Sequence, residues 1–392
     1  MPLAWVRSVW TTNEFCPTMS SLKPPRAMTQ PWHFNGFMCK KAASLLPFLL
    51  VLAVAGLEVT PLRAASVFDA IGQEVSNIFE KTRPAIVRVR SEGDELTMAG
   101  TGFFIDDKGT VLTAAPILGE NVTASVEVNG QWVSAKILGR DMRSGVALLQ
   151  VPQGLTPFLT LGNSGGLKSG LAVMAIGYPR NLPVAPSFGF ISGFDFRYLD
   201  RYFPTTHIRA NLPIAPGQVG GPMLNTKGDV VGLLVTAIDE GRSVYALPIE
   251  AAAKVVEDFR KYGTARHGWV GVGVKEVGDG QSGLRAVEIT QLFGDTPASQ
   301  SGLAPGDMVI KIGGRPITCP ADVMDASFYS RVGQETNVTV VRDGKTLVYK
   351  FVVQERPTAM PTVAQERRAT PARITPGGSG GPGIQVKATS PQ

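Results

Sequence analysis

Between Ala85 and Leu247 the chain is cut into short apolar runs by turn residues, and this limits what it can fold into. Ala85-Ile-Val-Arg-Val89, Gly100-Thr-Gly-Phe-Phe-Ile105 and Thr110-Val-Leu-Thr113 are rich in β-branched and aromatic residues. The turn Asp106-Asp-Lys-Gly109 separates the last two, and Asn129-Gly130 marks another hairpin. Further strands are expected at 122–128, 132–138, 146–151, 171–176, 187–191, 206–210, 230–235 and 243–247. The 44 Gly and 29 Pro favour short strands over long helices. Many short strands with such turns predict an all-β barrel or sandwich.

Two helices stand apart. In Ser66–Glu80 the apolar residues Phe68, Ile71, Val75, Ile78 and Phe79 share one face, and Pro84 ends the run. In Ile249–Tyr262 the face is Val255, Val256 and Phe259, with Gly263 as C-cap. A second block runs from Trp269 to about Gln354, with strands, a helix near Pro320–Tyr329 and turns at Pro305-Gly-Asp307 and Asp343-Gly344. Beyond Pro357 the chain is rich in Pro, Gly, Thr and Ala without periodicity, which predicts a disordered tail. Near the start, Lys40-Lys41 precedes an apolar run, Ala42–Leu57, and small residues follow at 64–66. That is the pattern of an export leader. The run is shorter than the ~20 residues a spanning helix needs, and both a cleaved leader and a retained anchor stay open. Residues 1–37 sit awkwardly ahead of a leader, so translation is expected to start at Met38. The expected division is therefore 1–37 extension, 38–65 leader, 66–263 first domain, 264–355 second domain and 356–392 tail.

The net charge of +6 is mild and no dense Lys/Arg block occurs, so no nucleic-acid partner is expected. After export only Cys319 of the three cysteines would remain, which excludes an internal disulfide. His33, His207 and His267 are scattered, with none of the spacings that hold a metal. No metal and no cofactor is expected.

Four motifs, taken in order, resemble the HtrA/Deg family of exported trypsin-like proteases with PDZ domains. Ser76-Asn-Ile-Phe-Glu-Lys-Thr-Arg-Pro-Ala-Ile-Val-Arg-Val89 is similar to that family's entry into its first strand. Gly100-Thr-Gly-Phe-Phe-Ile-Asp-Asp-Lys-Gly-Thr-Val-Leu-Thr113 resembles its G-S-G-F-I-I-D-x-x-G-x-I-L-T run, and Val244-Tyr-Ala-Leu-Pro-Ile249 its F-A-I-P-I run. Ser301-Gly-Leu-Ala-Pro-Gly-Asp-Met-Val-Ile-Lys-Ile-Gly-Gly-Arg-Pro-Ile317 resembles the core of a PDZ domain. The resemblance covers about 66–355. It implies a mainly β protein, a trypsin-like double β-barrel followed by one PDZ domain. It also implies a periplasmic or cell-envelope location, trimers built through the 66–80 helix, and peptide C-termini as ligands.

The resemblance fails at the residues that do chemistry. A serine protease needs a hydroxyl nucleophile, a base and a carboxylate that orients the base. The family's histidine follows L-T-x-x, but here Leu112-Thr-Ala-Ala leads to Pro116. Its aspartate opens a D-L-A-V-L-K-V strand, but here Asp141-Met-Arg-Ser leads to Gly145. Its serine lies in G-N-S-G-G-P, but here Gly217-Gln218-Val219-Gly220-Gly221-Pro222 places Val219 there. Asn211 replaces an aspartate shortly before that loop. A degenerate triad is expected, with the amides of Gly217, Gln218 and Val219 left as an oxyanion-like nest. Ser164 and Ser379 lie in similar glycine-rich runs but read as turn and linker, and His207 and His267 as structural or surface histidines.

By the same resemblance, the PDZ peptide site falls on Trp269-Val270-Gly271-Val272-Gly273-Val274, with Arg266 or His267 assisting the ligand carboxylate. The leading expectation is a non-enzymatic adaptor, sensor or regulator, partnered by peptide tails, unfolded chains or an active HtrA relative. An active endopeptidase with a non-standard nucleophile and a purely structural oligomerising scaffold are the alternatives.

Overall fold

The computed structural model describes residues 63–92, 97–152, 154–199, 201–278 and 285–357. The extension 1–37, residues 38–62 of the expected leader 38–65, Ser379 and the tail beyond 357 lie outside the described residues. Among the described residues no helix is long and apolar enough to cross a membrane.

Helix α1, Arg63–Thr82, runs beyond the expected 66–80 at both ends. Ile78 is buried against the main core with Val75 and Phe79 beside it, while Phe68 and Ile71 stay exposed. Six strands follow: β1 (Ile86–Glu92), β2 (Thr97–Phe104), β3 (Thr110–Ala114), β4 (Thr123–Val128), β5 (Gln131–Asp141) and β6 (Val146–Gln150). They close antiparallel in the order β1-β2-β3-β6-β5-β4. A second barrel uses β7 (Ala172–Gly177), β8 (Ala185–Tyr198), β9 (Arg201–Ala210), β10 (Pro222–Leu224), β11 (Val230–Ile238) and β12 (Ser243–Pro248), closing as β10-β11-β12-β9-β8-β7.

Successive side chains of a strand point to opposite faces, and here both faces are buried. Phe104, Val111 and Leu149 fill the first barrel, while their neighbours Phe103, Leu112 and Leu148 join a separate cluster with Ile176, Leu224 and Leu233 of the second. That explains why these strands are apolar throughout instead of alternating. Helix α3 (Ile249–Tyr262) lays Val255 and Phe259 into the same shared cluster, and Gly263 caps it by donating to the Phe259 carbonyl. The Phe259 ring lies so close to β5 that a Cβ at Gly139 would come within 2.2 Å of it.

Strands 187–191 and 206–210 are longer than expected, because β8 and β9 continue as one hairpin. Aromatic contacts extend it: Phe196 stacks on Tyr202 at 5.9 Å, and Tyr198 and Phe203 both pack on Tyr245. Arg209 bridges to Asp195 at 2.7 Å across the hairpin. His207 is 2% exposed, its Nδ1 lies 2.8 Å from the Thr205 carbonyl, and its ring stacks on Phe203 at 4.2 Å. Burial pushes its pKa down to about 4, outweighing the backbone hydrogen bond.

In the second domain β14 (Val272–Gly278), β15 (Arg285–Leu292), β16 (Met308–Ile312), β18 (Glu335–Arg342) and β19 (Lys345–Val352) form one sheet in that order, with β17 (Arg315–Pro316) beside β16. A two-strand ribbon, β13 (Gly268–Trp269) with β20 (Gln354–Glu355), holds the domain's two ends together. Helices α4 (Pro297–Gln300) and α5 (Pro320–Tyr329) cover the core of Val270, Val287, Ile289, Val338 and Val340. The single run expected over 269–274 is therefore two strands. The break falls at Gly271, whose φ of +79° and contact with Thr296 exclude a side chain.

The second domain is docked on the first by polar contacts. Asp325 of α5 accepts from Thr205 Oγ1 (2.6 Å), Thr206 N (2.7 Å) and Thr206 Oγ1 (2.8 Å) of β9. Arg331 pairs with Glu257 and, at 3.1 Å, with Asp258 of α3, which also holds the buried Lys254 at 3.0 Å.

Two outcomes are expected. Phe259→Ala should lower stability by about 3–5 kcal/mol, the range for a large buried aromatic, in denaturant unfolding followed by tryptophan fluorescence. A loss under about 1 kcal/mol would mean that α3 does not clamp the first barrel. For His207 the folded pKa lies below the unfolded one, so the unfolded chain binds the extra proton first. Its contribution is full above the unfolded pKa of 6.5 and is lost as the pH falls through about 4. The loss is of order 3 kcal/mol. His207→Gln should flatten that slope in urea midpoints taken across this window, and an unchanged slope would assign it to other groups.

Candidate functional site

Of the three positions expected to hold a triad, Pro116 and Gly145 lie in adjoining segments, and Val219 packs against the core that contains their neighbours Ala115 and Ala147. Strand β3 runs into the short helix α2 (Ala115–Leu118), with Pro116 in its first turn, where a missing N–H is tolerated. The Ala115 amide donates to the Gly145 carbonyl at 2.8 Å, which joins the histidine-position and aspartate-position segments. Gly145 has φ +76°, and a Cβ there would approach Val235 Cγ1 to 3.3 Å. The Val219 carbonyl accepts from Thr101 N at 3.0 Å, and the Val219 side chain packs against both barrel cores. Pro116, Gly145 and Val219 carry no side-chain atom that titrates or attacks.

The loop Gly217–Pro222 is anchored by Thr101. Thr101 Oγ1 donates to the Gly217 carbonyl at 2.7 Å and accepts from Tyr178 N at 3.0 Å. The expected nest is narrower than three amides. Gln218 N donates to Ala215 O at 3.2 Å, and the buried Gln218 side chain accepts from Ala215 N at 2.7 Å. Only the Gly217 and Val219 amides are left without a partner among the described residues.

Other hydroxyls and imidazoles are otherwise engaged. Ser164 donates its hydroxyl to Glu250 and accepts no imidazole, as a turn serine should. A serine, a histidine and a carboxylate do meet at the boundary between the domains. Ser144 Oγ donates to Asp141 Oδ2 at 2.5 Å, and His267 Nε2 lies 2.9 Å from the same oxygen. The order is wrong for acyl transfer, because the carboxylate sits in the middle and the imidazole does not bridge to the hydroxyl. Ser144 is also 2% exposed, closed to a substrate. Burial alone would raise the Asp141 carboxyl, but the His267 and Ser144 hydrogen bonds hold it below the usual carboxylate range. The buried His267 Nδ1 has no partner.

The second candidate surface is the groove between β14 and α5. Trp269, Val272, Val274, Val323 and Met324 line a cavity of about 100 Å³ there. Strand β14 is hydrogen-bonded to β15 on one side only, which leaves an edge for an added strand. Both basic residues expected to assist a ligand carboxylate already have partners. Arg266 pairs with Glu355 at 3.0 Å, and His267 is committed to Asp141. The cation that lines this groove from the first domain is Arg143, which follows Asp141 in a short turn. Nothing in its local sequence marked it.

Among the described residues no group of three His, Cys, Asp or Glu side chains is arranged to hold a metal ion.

Comparison with known proteins agrees with these two units. A trypsin-like peptidase domain family matches residues 100–233, and a PDZ domain family matches residues 268–351. A probable periplasmic serine endoprotease DegP-like of Pseudomonas fluorescens is 32% identical over 262 residues, covering 64% of this chain and 55% of that protein. A counterpart in Ectopseudomonas mendocina is 32% identical over 293 residues, covering 71% and 61%. The chain thus spans less than two thirds of the length of these relatives. The HtrA-type protease AlgW solved with a tripeptide is similar in fold, with a TM-score of 0.64 at 24% identity over 73% of this chain and 98% of that one. The relatives are named as periplasmic, the location expected for this chain. The chain belongs to the HtrA/DegP family, with a trypsin-like domain followed by a PDZ domain.

Proposed function

We propose that this chain is a catalytically inactive member of its family. It holds peptide C-termini or unfolded chains in the PDZ groove, as an adaptor, sensor or regulator of protein quality control in the periplasm. The supporting observation is chemical. Pro116, Gly145 and Val219, which by the family resemblance take the places of the proton-transfer and attacking groups, carry no side-chain atom that titrates or attacks. Loss of the serine or histidine alone typically lowers kcat by about a million-fold. A Cβ at Gly145 would come within 3.3 Å of Val235, and the φ of +76° at Gly145 further disfavours a side chain there.

The binding half of the proposal rests on the free β14 edge and the apolar groove beside it. A bound tail would add a strand to β14 and place its last side chain against Val323 and Met324. The working units are 66–263 and 264–355. The partners are peptide tails and, by family analogy, an active relative or further copies of this chain. For copies, the surface is the outer face of α1, where Phe68 is 77% exposed and Ile71 lies near the exposed Phe188 and Phe190 of β8.

The purified chain is expected to stay unlabelled by a fluorophosphonate probe and to leave casein intact. It should bind fluorescent tail peptides saturably, and lose that binding when 267–355 is removed. A labelled serine would end the inactive reading. A flat titration with every tail would end the binding one.

A further inference from the structure

A cavity of about 320 Å³ is lined by residues of both barrels and by none of the PDZ domain. Arg88 and Arg90 reach it from β1 and Trp132 from β5, while Tyr178, Asn181 and Gly217 come from segments of the second barrel. Each guanidinium lies over an aromatic ring, Arg88 over Tyr178 at 4.6 Å and Arg90 over Trp132 at 4.2 Å. Such contacts hold a long side chain in one place. The two arginines are not equivalent. The terminal nitrogens of Arg88 are spent on Glu127 at 3.0 Å and on the carbonyls of Asn181 and Leu182 at 3.2 and 3.0 Å. Arg90 faces one carboxylate, Glu92, 2.9 Å from its Nε, and its two terminal nitrogens donate no hydrogen bond among the described residues. Both side chains of that pair are partly exposed, so it binds weakly and can share its cation.

Two further donors are uncommitted. The Gly217 N–H has no partner among the described residues, and the Asn181 side-chain amide makes no hydrogen bond there. Gly217 stays bare for a steric reason: its φ is +97°, and a Cβ would come within 2.5 Å of the Tyr178 carbonyl. No Asp or Glu lines the cavity. The free edge of one planar guanidinium matches the two oxygens of a carboxylate, whereas a phosphate carries more charge than one uncommitted cation offsets. We infer that this cavity is a second peptide site, which takes an Asp or Glu side chain from within an extended segment of a bound chain. Arg90 binds the carboxylate edge-on, Asn181 and the Gly217 N–H supply the remaining donors, and the exposed part of Trp132 packs on the CH2 stem. The site does not depend on the PDZ groove. That groove is read as taking chain ends, and this one takes chain interiors.

The test uses the full chain and fluorescent peptides blocked at both ends by acetyl and amide groups, so that no α-carboxylate is present. They are made in matched pairs, Glu against Gln at one central position, and titrated by fluorescence polarisation. Wild type is expected to bind the Glu peptide about tenfold more tightly, the scale of one well-placed charged contact. The preference should fade as salt is raised. Arg90→Gln should erase it while leaving the Gln peptide unchanged, and Arg90→Lys should restore only part, because it keeps the charge without the planar fork. Binding of the Glu peptide should also change tryptophan emission, and Trp132→Phe should remove that change. A free-ended tail titrated in parallel reports the PDZ groove and should bind the Arg90 variants as it binds wild type. Equal binding of the Glu and Gln peptides by wild type would overturn the inference, as would a preference that survives Arg90→Gln. Displacement of the Glu peptide by inorganic phosphate at lower concentration than by acetate would overturn the carboxylate assignment. Failure of every end-blocked peptide while the free-ended tail still binds would sink this site alone.

Discussion

The buried hydroxyl of Thr101 ties the nucleophile loop of the second barrel to the first. It bonds the Gly217 carbonyl and the Tyr178 amide, while the Thr101 backbone N–H reaches the Val219 carbonyl. Thr101 is fully enclosed, so moving the loop would strand these groups without water to replace them. None of the three bonds uses the side chain at position 219. The loop's shape therefore depends on backbone atoms and Thr101, whereas its chemistry would have depended on a side-chain oxygen. One can be lost without disturbing the other.

The other two positions show the same separation. The Ala115–Gly145 backbone hydrogen bond joins their segments whatever side chains they carry. Pro116 suits the first turn of a helix, and Gly145 suits a left-handed φ beside Val235. The side chain of Val219 faces both barrel cores. In an active cleft these positions would hold polar groups that need partners. Here their side chains are apolar or absent and need no partner: Pro116 is exposed, and Gly145 and Val219 are half-buried.

Local patterns revealed the barrel strands because turn residues bound them and their apolar runs are continuous. Phe103–Phe104 and Leu148–Leu149 each serve two cores, which is why alternation was absent there. The departures at Pro116, Gly145 and Val219 from the pattern the chain resembles were visible because they lie inside motifs that otherwise hold. Three features were not legible. The β8–β9 hairpin is extended by aromatic contacts between strands, which propensity does not register. The kink at Gly271 depends on Thr296, far along the chain. The domain contacts join residues 120 and 126 positions apart, Thr205 with Asp325 and Asp141 with His267, and short windows hold no trace of such pairs.

Those distant pairs give the barrel a mechanical role. Asp325 takes its hydrogen bonds from β9, and Asp258 of α3 takes Arg331 from the PDZ domain. Separating the domains would take Arg331 from Glu257 and Asp258 and strip Asp325 of its three hydrogen bonds, while Asp258 would keep Lys254. The relative placement of α5 and β14, and so the width of the groove between them, is thus braced from the first domain. Pro204 lines the same groove from β9. A PDZ domain cut free of the barrel would lose one wall of this groove. The barrel is therefore part of the proposed binding surface, independent of any cleavage chemistry.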